Sequence, residues 1–103
     1  MKDNPWERGL KLFHSLHYFE AHEEWEICWR DAPPDERDFY QGMVHLTVAM
    51  YQAGRKNAPA ARSQLRKARR RLAAYYPGRN GVALDTLVPE VEEAVERALE
   101  VCQ

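Results

Sequence analysis

The sequence has little with which to build a covalent or metal-based framework. It holds two cysteines, Cys28 and Cys102, and neither sits in a spacing that binds zinc or forms a redox pair. Glycine is scarce, at five residues, and no glycine-rich phosphate loop occurs. No apolar run approaches the ~20 residues that span a bilayer. The longest apolar-rich stretch, 39–53, is broken by Gln41, His45 and Gln52. Met1-Lys2-Asp3-Asn4-Pro5 leads into a charged amphipathic stretch, where a secretory signal would need an apolar run. These absences argue against a disulfide scaffold and a membrane span. They point to a cytoplasmic protein with free thiols, for which no metal or cofactor is expected.

Acidic residues are missing from the middle of the chain. Residues 54–80 carry nine Lys or Arg and no Asp or Glu, whereas residues 1–53 carry five basic and ten acidic groups and residues 81–103 one basic and six acidic. The net charge of −1 therefore hides a positive centre between negative flanks. With 103 residues, 45% of them hydrophobic, the chain suits one domain with its own core over residues 1–103.

What is present is helical periodicity. Asn4-Pro5-Trp6-Glu7 combines a cap, a first-turn proline and an early acid, so it predicts a helix running to about Leu16. Tyr18, Ala21, Trp25, Cys28 and Trp29 share one stripe, which predicts a second helix over 18–31, stopped by Pro33-Pro34. A third, over 36–54, begins at an Asp35 cap and ends at Gly54. It is apolar around most of its circumference and so belongs at the centre. Asn57 caps a fourth, whose stripe from Ala61 through Leu65, Ala68 and Leu72 extends to about Tyr76. The cluster at 77–81 is a turn, and a last helix lies between Asp85 and Val101 with Pro89 in an early turn. Strand alternation is nowhere sustained. The expected architecture is all-α, a single compact bundle of about five helices built from antiparallel helical hairpins.

Within this scheme His22 stands beside Tyr18, Trp25 and Trp29, with Glu26 one turn on. Gln41, His45 and Gln52 line up with Val48 as a narrow polar stripe on the third helix. If the two edges meet, they form a polar cluster floored by Trp25 and Trp29. Such a cluster has three readings. It can be a satisfied core network, a pocket for a small polar or anionic ligand lined by His22, Trp25, Glu26, Trp29, Gln41 and His45, or an acid–base or metal site using His22, Glu26 and His45. His22-Glu23-Glu24-Trp25-Glu26 is not the H-E-x-x-H zinc motif, because Glu26 replaces the second His. Glu20 and Glu24 project away from the Trp residues, as a solvated face or as salt-bridge partners of the basic fourth helix.

Tyr18-Phe19-Glu20-Ala21-His22-Glu23, followed by Trp25-Glu26 and Trp29, resembles the hallmark of a small helical family known as domain of unknown function 309. Gln41-Gly42 is similar to that family's second motif and Asn57 with Ala60-Ala61 to its third, so the resemblance runs from Phe13 to about Tyr76. Where the family usually has Asn and Gly ahead of the Tyr, this chain has His14 and Leu16, and it has His45 where Gln is common. The resemblance implies an all-helical fold, cytosolic bacterial or archaeal membership, and no established activity.

In the fourth helix Arg62, Arg66, Arg69 and Arg70, with Lys67 and Arg71, fall away from the apolar stripe. They form a cationic face suited to anions or nucleic acid, unless carboxylates of neighbouring helices or of a dimer partner neutralise it. The near-zero net charge and the lack of interleaved aromatics weigh against nucleic acid. The two hairpins have a loose repeat character, each second helix carrying an early Ala (Ala21; Ala60 or Ala61). Aromatics at Trp6, Tyr75 and Tyr76 offer a homodimer surface. A binding or interaction module is the leading expectation. The alternatives are an enzyme using His22, Glu26 and His45, and a nucleic-acid binder using the basic helix.

Overall fold

The Asn4 carboxamide accepts a hydrogen bond from the Glu7 backbone N–H at 2.8 Å and starts α1 (Pro5–His14). In the computed structural model, which describes residues 4–100, this helix is followed by α2 (Tyr18–Asp31), α3 (Pro34–Gly54), α4 (Ala58–Leu72) and α5 (Leu84–Glu100). The fold is all-α, apart from one two-stranded hairpin of β1 (Gly78–Arg79) and β2 (Val82–Ala83). Cys102, Val101 and the N-terminal residues 1–3 lie outside the described residues. No helix among the described residues is long and apolar enough to cross a membrane.

Several boundaries differ from expectation, each for a local reason. α1 stops at His14, and Leu16 takes the left-handed conformation (φ 67°) that reverses the chain. α3 begins at Pro34, whose fixed φ and missing N–H suit a first helical position, so Asp35 lies inside the first turn and does not cap it. Its C-terminal reversal falls on Lys56 (φ 64°) and not on Gly54. α4 tightens into a 3₁₀ turn over Ala73–Tyr75. Asn80 and Gly81, both at positive φ, supply the two-residue loop between β1 and β2.

The turns at Leu16 and Lys56 are the same structure used twice. His17 N–H bonds to Leu12 O as Asn57 N–H bonds to Gln52 O, and the helix that follows opens with Ala21 to His17 O as with Ala61 to Asn57 O. Ala21 and Ala61 are both fully buried, the small side chains that let each helix of a pair approach its partner. The sequence repeat is thus a repeat of αα-hairpins, α1–α2 and α3–α4.

α3 is the central element. Phe39, Met43, Leu46, Thr47, Ala49 and Ala53 on it are fully buried, and burying a side chain such as Phe39 or Leu46 contributes about 1.5–3 kcal/mol. The absent Cβ of Gly42 is where Leu72 of α4 sits, since a Cβ there would lie 2.5 Å from Leu72 Cγ. On the far side, Gly9 of α1 admits the Trp25 indole. Thr47 Oγ1 donates to Tyr18 O at 3.2 Å and fixes the start of α2 against α3. α5 closes the bundle with Leu84, Val88, Val91 and Val95 inward.

Candidate functional site

α2 runs antiparallel to α3, so Tyr18 meets Thr47 while Trp29 lies under the Arg37 guanidinium, 4.7 Å from the ring centroid. Between them opens a half-enclosed cavity of about 150 Å³ walled by Tyr18, Phe19, Val48 and Tyr51, with His22 and Gln52 as its further polar members. Phe19 is half exposed and leans on both His22 and Tyr51, with ring centroids 5.6 Å apart in each case. His22 Nε2 faces Glu26 Oε1 at 3.3 Å. Its Nδ1 is buried with no hydrogen-bond partner, and it is the one such side-chain atom among the described residues. In the neutral imidazole with its proton on Nε2 toward Glu26, Nδ1 is a hydrogen-bond acceptor with no donor facing it. Burial raises the pKa of the Tyr18 phenol.

The expected cluster therefore forms in part and with different members. His22, Glu26 and the Gln52–Val48 end of the α3 stripe come together. His45 does not join them: its Nδ1 lies 2.6 Å from Gln64 Oε1 of α4. Burial lowers the pKa of the His45 imidazole, with the cations of Lys67 and Arg71 acting in the same direction against the Gln64 hydrogen bond. Gln41 is half-buried with no side-chain hydrogen bond among the described residues. Trp25 and Trp29 do not floor the cluster. Trp25 is fully buried toward α1, stacked on Trp6 at 5.3 Å and donating its indole N–H to Trp6 O at 3.3 Å. The physical reason is that α2 is packed on two sides. Its broad apolar stripe divides into a Trp25 edge against α1 and a His22 edge against α3.

Phe19 and Tyr51 were not singled out by the periodicity, since both lie off the buried stripes. An aromatic three residues before His22 on an otherwise charged face was the available signal. Gln64 gave a comparable one, as an uncharged amide among the cations of α4. Among the described residues, no group of three or more His, Cys, Asp or Glu side chains is arranged to hold a metal ion.

Half of the cations of the basic helix are neutralised by carboxylates of other helices. Arg62 pairs with Glu96 through two hydrogen bonds of 3.0 and 2.8 Å, Arg69 with Glu92, and Arg71 with Asp38 at 2.7 Å. The negative flanks of the sequence are thus the partners of its positive centre. Arg66, Lys67 and Arg70 remain on the outer face without a carboxylate among the described residues. Glu24 pairs with Arg8 of α1 at 3.0 Å, not with the basic helix. Trp6 and Tyr75 are packed against the core, and Tyr75 donates its hydroxyl to Asp35 O. Of the three aromatics expected at the surface only Tyr76 is exposed, together with Leu16 and Phe19.

These features define, over the described residues, a small all-helical protein of two repeated αα-hairpins closed by a fifth helix, with the His22 cavity on the seam of α2 and α3. The model of the family described as domain of unknown function 309 matches residues 6–64, more than half of the chain, and the chain belongs to that family. It is similar to an uncharacterised protein of Bacillus subtilis (strain 168), YpuF, with 32% identity over 94 residues, covering 84% of this chain and 54% of the relative. The chain thus spans about half the length of that relative. No solved structure matches. Every residue lining the α2–α3 cavity lies within the span matched by the family model.

Proposed function

We propose that this chain is a binding module and that its recognition site is the α2–α3 cavity. The observation that carries the reading is the His22 imidazole, whose buried Nδ1 has no partner, in a wall that is aromatic and aliphatic apart from His22 and Gln52. An unpaired buried polar atom costs roughly 1–3 kcal/mol, a cost that a ligand's hydrogen bond offsets. A cavity near 150 Å³ is about the size that accepts a benzene ring. The ligand class is therefore a ring-sized apolar group bearing a hydrogen-bond donor, from a small molecule or from a side chain of a partner. The Phe19 ring, half exposed against the imidazole, is the wall most able to turn aside. Residence in the cytoplasm belongs to the same reading, in keeping with the free thiol of Cys28.

The acid–base alternative required His22, Glu26 and His45 together, and the geometry supports only the first pair. The nucleic-acid alternative keeps Arg66, Lys67 and Arg70 but not the cations held by Glu96, Glu92 and Asp38.

The test is an amide chemical-shift titration with phenol and with toluene at millimolar concentration. Phenol is expected to move resonances of residues 18–22 and 48–52 at lower concentration than toluene does. His22→Phe should abolish that preference while leaving toluene binding in place. Shifts confined to other parts of the protein, or a preference unchanged in His22→Phe, would defeat the proposal.

A further inference from the structure

On the other side of Phe19 and Tyr51 lies a second, more open concavity of about 330 Å³, reaching from the Leu16 turn across Met50 to Arg55. Leu16 holds a left-handed backbone conformation, which disfavours any side chain with a Cβ, and is also 71% exposed. An apolar residue that gains neither backbone ease nor burial within its own chain has its compensation elsewhere. Phe19, 49% exposed beside it, extends the same apolar surface.

The charges on its two sides select the occupant. Glu20 stands on the α2 side, and among the described residues His17 is its one ion-pair neighbour, at 4.0 Å. Arg55 stands on the α3 side, and its guanidinium is held over the Tyr51 ring and hydrogen-bonded to the Tyr51 hydroxyl at 3.2 Å. No carboxylate pairs with Arg55 among the described residues. An apolar centre with one negative and one positive flank is self-complementary. A twofold axis through the Phe19 region brings each Glu20 to the other copy's Arg55 and the two Leu16–Phe19 surfaces together.

We propose that this surface binds a second copy of the chain, giving a twofold dimer. The surface shares the Tyr18, Phe19 and Tyr51 side chains with the His22 cavity but not His22 or Gln52, so the oligomeric state tests it separately from the ligand reading.

Sedimentation equilibrium of the full chain across the micromolar range tests it. The wild type should pass from monomer to dimer. Glu20→Arg and Arg55→Glu each place like charges across the axis and should each weaken association by at least about tenfold. An equimolar mixture of these two variants recreates both pairs in the heterodimer and should recover the wild-type affinity. Leu16→Gly should weaken association while raising the melting temperature of the monomer, a combination that a purely structural role does not produce. A wild type monomeric throughout, a mixture that associates no better than either variant alone, or a Leu16→Gly variant that associates like the wild type overturns the proposal.

Discussion

Gly9→Ala isolates the contact that seats α1 on the rest of the bundle. An added Cβ would lie 2.1 Å from Trp25 Nε1, 2.5 Å from Cδ1 and 2.7 Å from Cε2, against a normal carbon contact of about 3.5–4.0 Å. The indole cannot retreat. It is fully buried between Trp6 and Phe13, whose ring centroids lie 5.3 and 5.7 Å away, and its N–H is committed to Trp6 O. α1 must therefore move outward by an ångström or more. Overpacking of this kind costs about 1–3 kcal/mol, and loss of the indole hydrogen bond adds about 1 kcal/mol. The gain in helix propensity from Gly to Ala returns about 1 kcal/mol. The net expectation is a destabilisation of about 1–3 kcal/mol, or a fall in melting temperature of roughly 5–20 °C for a domain of this size. Thermal denaturation followed by far-UV circular dichroism measures it. Gly54→Ala is the control: nothing lies within 4 Å of its added Cβ, so it should stabilise by roughly 0.5–1 kcal/mol. A Gly9→Ala variant as stable as the Gly54→Ala variant would refute the packing argument.

Two further outcomes rest on groups of α3. The pKa of His45 is lowered in the fold, mainly by burial, so below the ordinary imidazole pKa of about 6.5 the unfolded chain binds a proton that the folded chain refuses. Stability should fall as pH drops from neutrality through that range, and urea midpoints of His45→Gln should follow a flatter pH profile than the wild type. Thr47→Val keeps the shape of a fully buried side chain but removes its hydrogen bond to Tyr18 O. It should cost about 1 kcal/mol, read as a lower urea midpoint at unchanged slope, whereas an unaltered midpoint would mean that the bond does not fasten α2 to α3.

The helices were legible because their signals are local. Caps at Asn4 and Asn57, the proline stop after α2 and the stripe of α4 involve residues within a turn or two of one another, and the structure places them so. The site was legible only to the level of the helices that carry it. The periodicity put His22, Trp25 and Trp29 on one side of α2, but a helix packed on two sides divides such a stripe, and nothing in the spacing says where the division falls. Trp25 went to α1 because Gly9 leaves room for it, a correspondence between residues 16 positions apart. His45 went to α4 because Gln64 offers an amide at the matching level. The segregation of charge was visible in the sequence, while the partner of each arginine depended on the antiparallel register of α4 and α5.

The two equivalent turns give a last and sharper comparison. Leu16 and Lys56 share a left-handed conformation and a hydrogen-bond pattern, so replacement by glycine relieves the same backbone penalty in each. That penalty is about 1–2 kcal/mol, set against roughly 0.5–1 kcal/mol of added freedom in the unfolded chain. What differs is the side chain. The Lys56 ammonium donates to Ala98 O in the last turn of α5, where a cation meets the negative end of the helix for about 0.3–1 kcal/mol. The Leu16 side chain is directed largely to solvent within its own chain. In dilute solution, where association contributes nothing, Leu16→Gly should therefore raise the melting temperature and Lys56→Gly should leave it nearly unchanged. Equal gains would mean that Lys56 does not fasten α5. A loss in Leu16→Gly would mean that Leu16 is supported within its own chain, which would remove the reason for seeking its partner in a second copy.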